Sequence, residues 1–379
     1  MKILYLIKSF AAKAGTERVM SDKMNWLSER GYEITLVTYE QGTHPFAFPL
    51  NSSIKHYDLD TRFFELAKYN IVKRLFRYSV LKRHFKKNLQ SIMNVVKPDI
   101  FVSTTYSLPL FDVLLQIESS SKRIIESHVA CCTVKKAENY RSSFLLHSIF
   151  KLYDKWMLDH IRRFDGFVSL TENDANEWAK YSNNVCTIPN PVTFIPEELA
   201  PVGDTHRIIC VGRLHEQKGF DLLIEAFSLI ADKCFEWCVD IYGDGDEKQT
   251  LNNLIVSRNL EGRVTINSST DNIYREYLNS SFFVLSSRYE GFGLVLLEAM
   301  SCGLPCISFD CPYGPGDIIE DGCNGFLVDN GNVQKMADKI LWMIQNRDSR
   351  IEMGKRAKKS IMCYERNEIM KKWISFFNC

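Results

Sequence analysis

The chain has 379 residues, 45% of them hydrophobic and 25% charged, with a formal net charge of +1. That length is too great for one compact core and fits two domains, and the composition is that of a soluble globular protein. The near-neutral charge gives no ground for a nucleic-acid partner, and no run of 18 apolar residues offers a membrane span. The charge is uneven along the chain. Residues 1–200 carry 27 Lys and Arg against 21 Asp and Glu, and the remainder carries 20 against 25. An anionic partner is therefore expected for the first half.

In chain order, the opening "MKILYLIKSFAAKA" has a basic start and an apolar stretch, as a signal peptide would. The stretch runs only from Ile3 to Ile7 before Lys8 interrupts it. That is too short for a signal segment and reads as a buried first strand. Further short apolar runs lie at 34–39, 99–104, 123–127 and 166–170, then at 207–212, 238–243, 263–267, 282–287, 305–310 and 325–329. Amphipathic stretches at 17–30, 219–232, 246–258 and 332–346 fall between them. Near-continuous apolar strands alternating with helices predict a parallel sheet covered on both faces, and the pattern occurs twice. The expected fold is α/β, with two doubly wound, Rossmann-like domains facing a cleft. The segment 189–205, "PNPVTFIPEELAPVGDT", holds four prolines and no helical period, which is linker composition. The expected domains are 1–195 and 196–362, with a last helix at about 363–379 packing back on the first.

The twelve cysteines lack metal-ligand spacing. They read as small core residues in a reducing compartment, with no bound metal.

Residues 288–298, "RYEGFGLVLLE", carry the most specific signal. A buried strand ends near Ser286, Gly291 and Gly293 turn the chain, and a helix follows from Leu294 to Cys302, with Gly303 closing it. The N–H groups of Phe292, Gly293 and Leu294 open that helix, and such a terminus suits anionic or hydroxyl-rich ligands. Glu290 precedes the terminus and Glu298 lies over one turn inside it. Eight helical steps span roughly 12 Å, less at a turn. The two carboxylates suit opposite ends of an elongated polar ligand such as a nucleotide sugar. The plainer reading is a helix start that favours acidic residues.

In "VGRLHEQKGFDLLIEAF" (211–227), Arg213 and Lys218 project from the loop between a strand and a helix. Two cations beside a helix N-terminus form a phosphate clamp, or else are two solvated surface charges. In "KSFAAKAGTERV" (8–19), Gly15 and Thr16 stand at the start of the first helix, a common arrangement in α/β domains. His128 follows the strand in "RIIESHVA", where it can meet a sugar or phosphate or serve as a structural histidine. In "YGPGDIIEDGCNGFLV" (313–328), glycines and a proline break the chain and Asp317 is expected to open a short helix. Finally, residues 68–87 hold eight Lys or Arg and no acid, with Ile71, Leu75, Tyr78 and Leu81 at helical spacing. That segment reads as a basic amphipathic helix suited to an anionic bilayer, or as a packed helix with a solvated face.

The motifs "GRLHEQKGFDLLIEAF", "EGFGLVLLEAMSCGLPCI" and "GPGDIIEDGCNGFLV", in that order, resemble those of the retaining glycosyltransferases of family 4, which have the GT-B fold. In the first half the resemblance is limited to "AGTERV", "KPDIFVS" and "ESH". It implies Glu290 and His128 at the transferred sugar, Glu298 on the ribose, and Arg213, Lys218, Gly15 and Thr16 at the diphosphate. It also implies the amides of Phe292, Gly293 and Leu294 at the donor sugar. Two departures stand out: Ala14-Gly15 where the family often carries Gly-Gly, and "TINSS" (265–269) where a Gly-containing turn is common.

The implied activity is retaining, metal-independent transfer from a nucleotide sugar, expected to be a UDP-sugar, without a cofactor. The expected acceptor is a glycan, lipid-linked, in cell-surface polysaccharide synthesis (capsule, O-antigen or exopolysaccharide). The expected location is the cytoplasm, peripheral to the inner face of the membrane. The alternatives are a GT-B nucleotide-sugar epimerase and a non-catalytic donor-binding subunit.

Overall fold

The computed structural model describes residues 1–135, 143–197 and 205–379. The part of the expected linker at 198–204 lies outside the described residues. The chain divides into two compact units, Met1–Ile188 with Trp373–Cys379, and Pro189–Lys372.

The first unit holds β1 (Lys2–Ile7), β2 (Glu33–Thr38), β3 (Lys55–Asp58), β4 (Ile100–Thr104), β5 (Lys122–Glu126), β6 (Gly166–Ser169) and β7 (Val185–Thr187). All neighbours pair in parallel, in the order β3-β2-β1-β4-β5-β6-β7. Its helices are α1 (Gly15–Ser28), α2 (Ile71–Val96), α3 (Phe111–Leu114), α4 (Cys131–Val134), α5 (Phe144–Asp159) and α6 (Glu172–Trp178). The apolar runs read from sequence are the five strands β1, β2, β4, β5 and β6. The edge strands β3 and β7 were not expected. Their sequences, KHYD and VCT, are short and carry no fully buried residue, so neither shows a continuous apolar run.

The second unit holds β8 (Arg207–Val211), β9 (Cys238–Tyr242), β10 (Val264–Asn267), β11 (Phe282–Leu285), β12 (Cys306–Asp310) and β13 (Gly325–Asp329). They form a parallel sheet in the order β10-β9-β8-β11-β12-β13. Its helices are α7 (Phe220–Ser228), α8 (Lys248–Ser257), α9 (Ile273–Leu278), α10 (Leu294–Ser301), α11 (Pro315–Ile318), α12 (Val333–Gln345) and α13 (Arg347–Ser360). A last helix, α14 (Arg366–Asn378), supplies the residues from Trp373 onward to the first unit. Pro315, rather than Asp317, opens α11, because its fixed φ suits a first helical turn.

Each sheet is buried on both faces. Phe282, Val284, Ile307 and Phe309 pack with Phe227 and Ile340 in one core, and Leu4, Leu6, Phe101, Ile125 and Phe167 pack with Phe85 and Trp178 in the other. Each such side chain contributes about 1.5–3 kcal/mol when fully buried. Six cysteines are buried, but Cys132, Cys363 and Cys379 are exposed, which corrects the reading of the cysteines as core residues. They lie in or beside helix termini, where a small apolar side chain is tolerated at the surface.

Candidate active site

The strand order reverses direction between β8 and β11 in the second unit. From β8 the chain steps outward through β9 and β10, then returns to the other side of β8 as β11. Such a switch point leaves a crevice at the carboxyl ends of the two strands, where open α/β sheets bind ligands. The loops following β8 and β11 carry the two most specific sequence motifs.

Those loops are fastened together. Gly219 has φ +61°, and a Cβ there would lie 2.1 Å from the Ser286 carbonyl oxygen, so only glycine lets the loop approach so closely. Ser286 Oγ donates to the Lys218 carbonyl at 2.9 Å, and Arg288 N–H donates to the Gln217 carbonyl at 2.8 Å. Arg288 also clasps Asp221 with two bonds of 2.8 and 2.6 Å, a paired geometry that fixes the start of α7. Burial and the Arg288 partnership compete on Asp221, and the net effect holds its carboxyl below the usual range.

This fastening aims Lys218 at Glu290. Lys218 Nζ donates to Glu290 Oε1 at 2.6 Å, and Ser287 Oγ donates to the same oxygen at 2.6 Å. Glu290 is only 5% exposed, so its charge requires such partners. Arg213 is exposed, and its guanidinium makes no hydrogen bond or ion pair among the described residues. One cation is thus tied to the carboxylate and one is unengaged.

Gly293 caps α10, and the N–H groups of Phe292, Gly293 and Leu294 precede its first helical hydrogen bonds. The turn is braced from behind by Gly314, whose φ is +96° and whose position would put a Cβ 2.1 Å from the Phe292 carbonyl oxygen. Further into α10, Glu298 Oε1 accepts from Thr193 Oγ1 at 2.8 Å, and its Oε2 accepts from Tyr277 OH at 3.3 Å. Tyr277 is fully buried; burial, and then the Glu298 charge, push its phenol well above the ordinary range, so it remains a donor.

In the first unit the order reverses between β1 and β4. Gly15 opens α1, whose N-cap residue Ala14 supplies no side-chain cap. Thr16 Oγ1 lies 3.2 Å from Tyr106 OH, and the Tyr106 ring stacks parallel to His128 at 6.3 Å. The His128 side chain is buried, with Nε2 3.3 Å from Glu126 Oε1 but misaligned for a hydrogen bond. Glu126 Oε2 pairs with Lys23, itself buried beneath the Trp373 ring at 3.9 Å. Burial lowers the His128 pKa to about 4; Glu126 opposes that shift and Lys23 adds to it, so the ring is neutral near pH 7. The structure thus seats the imidazole inside the unit, against a carboxylate.

Lys23, Glu126, Ser287, Tyr277 and Thr193 were not anticipated. A signal existed for Lys23, which interrupts the buried face of α1 formed by Val19, Met20, Met24 and Leu27. None existed for Thr193 and Tyr277, which come from segments far from Glu298 in the chain. Among the described residues no group of three or more His, Cys, Asp and Glu could hold a metal ion.

Residues 192–360, which include this crevice, match the model of the family described as Glycosyl transferases group 1. The chain is a glycosyltransferase with the GT-B fold. It is 27% identical over 376 residues to an uncharacterized glycosyltransferase of Haemophilus influenzae, covering 98% of each chain. It is also 27% identical to the amylovoran biosynthesis glycosyltransferase AmsD of Erwinia amylovora, covering 100% of this chain and 99% of AmsD. The fold of this glycosyltransferase is similar to that of S. aureus TarM solved with UDP and α-GlcNAc-glycerol, with a TM-score of 0.77, 18% identity and all of both chains covered.

Proposed function

We propose that this glycosyltransferase moves a sugar from a nucleotide diphosphate sugar, with UDP as the nucleotide, onto a growing cell-surface glycan, with retention of anomeric configuration. The observation that carries the reading is the cluster at the second unit's switch point: unengaged Arg213, Lys218 on Glu290, and the start of α10. The presence of UDP in the TarM structure and the naming of AmsD for amylovoran biosynthesis support the donor and the polysaccharide class.

In this reading the bond between the anomeric carbon and the diphosphate oxygen breaks, and the acceptor oxygen bonds to that carbon on the same face. The acceptor proton passes to the departing diphosphate. Negative charge grows on the diphosphate, where Arg213, Lys218 and the α10 amides stabilise it without a metal. A ligand phosphate draws Lys218 from Glu290, which frees Oε1 for a sugar hydroxyl and for the positive charge on the ring. Glu298, aligned by Thr193 and Tyr277, takes the ribose. The same reading assigns Gly15 and Thr16 to donor phosphate and His128 to the transferred sugar, and it makes the acceptor lipid-linked.

The test is a panel of nucleotide sugars scored for thermal stabilisation and slow hydrolysis without acceptor. One donor should stabilise the protein and release free sugar. Release of an epimer would identify an isomerase, and stabilisation without hydrolysis in the presence of any glycan would identify a donor-binding subunit.

A further inference from the structure

The first unit carries an exposed apolar surface that the transfer chemistry does not use. On α2, Ile71, Val72, Leu75 and Phe76 are 64–75% exposed and Val80 is 39% exposed. At 100° per residue Val72, Phe76 and Val80 share one face, whereas Ile71 and Leu75 lie in line with the buried Leu89 and Met93 and are exposed because the first turns of α2 extend past the core. Along the Val72, Phe76 and Val80 face the residues then become cationic, with Arg83 and Lys87 exposed and Lys86, at its edge, half-buried. The core-facing side of the later turns holds Phe85, Leu89 and Met93. Tyr78 and Leu81, expected in the apolar stripe, turn partly inward instead, with Tyr78 OH bonded to the Pro109 carbonyl at 3.1 Å. The outer face therefore runs from an apolar end to a basic collar, and α2 contains no Asp or Glu.

A second helix extends the surface. Lys82 of α2 pairs with Asp112 at 2.7 Å and lies 6.0 Å from the centre of the Trp156 ring of α5. On α5, Phe144 is 88% exposed, Leu152 71%, Ile149 52% and Trp156 43%. Lys151 and Lys155 are exposed beside them, while Asp154 is buried. No described helix is long and apolar enough to cross a membrane.

We propose that α2 and α5 together form a docking surface for an anionic lipid bilayer, the apolar side chains entering the interface and Arg83, Lys86, Lys87, Lys151 and Lys155 meeting lipid phosphates. Charge complementarity decides the occupant. The cores of protein–protein interfaces are depleted in Lys, whereas a bilayer interface rewards an apolar face flanked by Lys and Arg, with Trp at headgroup level. The long cationic side chains also reach phosphates while their stems lie along the apolar surface. This surface is independent of the donor reading, since binding is measured without any sugar.

The experiment is co-sedimentation of the full chain with phosphatidylcholine vesicles, with and without phosphatidylglycerol, at low and high salt. The wild type should bind the anionic vesicles, weakly at high salt, and leave neutral ones largely unbound. Each cation near the surface is worth about fivefold in affinity, so Arg83→Gln/Lys86→Gln/Lys87→Gln should bind on the order of 100-fold more weakly. The α5 variant Leu152→Ser/Trp156→Ser should lose about tenfold or more, from lost apolar burial. All substituted side chains are at least partly exposed, and unchanged melting would show that the fold is intact. Equal sedimentation of wild type and both variants would overturn the surface. Loss in the α2 variant with none in the α5 variant would overturn its two-helix form. A concentration-dependent dimer abolished by the same α5 substitutions would show that a second copy, rather than lipid, covers it.

Discussion

Lys218 Nζ and Glu290 Oε1 stand 2.6 Å apart, joined across 72 residues of sequence by a loop that only Gly219 allows to close. In this chain the cation expected at the diphosphate and the carboxylate expected at the sugar are partners before any ligand arrives. Removing either one changes the other.

Lys218→Met should strand the Glu290 carboxylate in a mostly buried site. The cost is about 2–3 kcal/mol of stability, the scale for an uncompensated buried charge. Glu290→Gln keeps the hydrogen bonds from Lys218 and Ser287 and should cost less than about 1 kcal/mol, while lowering kcat at least tenfold. Denaturation midpoints and steady-state kinetics on the two variants check this; a Lys218→Met protein as stable as wild type would show that the pair is not coupled.

Glu298 is aligned by two neutral donors, so its role should divide from that of Glu290. Glu298→Ala, and more mildly Tyr277→Phe, should raise the donor KM and leave kcat within a few-fold. Donor saturation curves decide. Equal effects of the Glu290 and Glu298 substitutions on both kinetic parameters would contradict the division.

Gly219→Ala places a methyl group 2.1 Å from a backbone carbonyl at a positive φ. Backbone must move, at a cost of at least about 1–3 kcal/mol. The expected result is a lowered melting temperature together with weakened UDP binding, because the same loop carries Lys218. Tight UDP binding by this variant would show that loop position does not matter to the clamp.

His128 supplies a pH prediction. Its folded-state pKa is lowered to about 4, below the unfolded value near 6.5. Between those values the unfolded chain binds the proton and the folded chain does not, so stability falls as pH drops from about 6.5 toward 4. The full difference is on the order of 3 kcal/mol. His128→Asn should flatten this part of the melting-temperature profile between pH 7 and 4.5, and an unchanged slope would place the proton uptake elsewhere.

Much of the fold was legible because buried parallel strands are short unbroken apolar runs, as in "FFVLSS" and "RIICVG". The strands β3 and β7 escaped because edge strands bury little and need no such run. The site's outline was legible where chemistry is local in sequence: Glu290, the Gly293 turn and Glu298 lie within one loop and helix. What holds those residues was not. The Lys218–Glu290 contact, the Thr193 and Tyr277 donors on Glu298, and the Lys23–Glu126–His128 cluster join segments separated by 21 to 105 residues. Such pairings follow from strand order, which no single stretch of sequence encodes. The same holds for α2, whose periodicity shows two apolar stripes without saying which one faces the core.

The switch-point cluster of the second unit should bind a nucleoside diphosphate through Arg213 and Lys218 without metal. Calorimetric titration of UDP in EDTA, with wild type and with Arg213→Gln, measures it directly. The wild type should bind saturably and the variant at least tenfold more weakly, since Arg213 is exposed and its substitution should leave the fold intact. Equal affinity for the two proteins, or wild-type binding only after magnesium or manganese is restored, would contradict it.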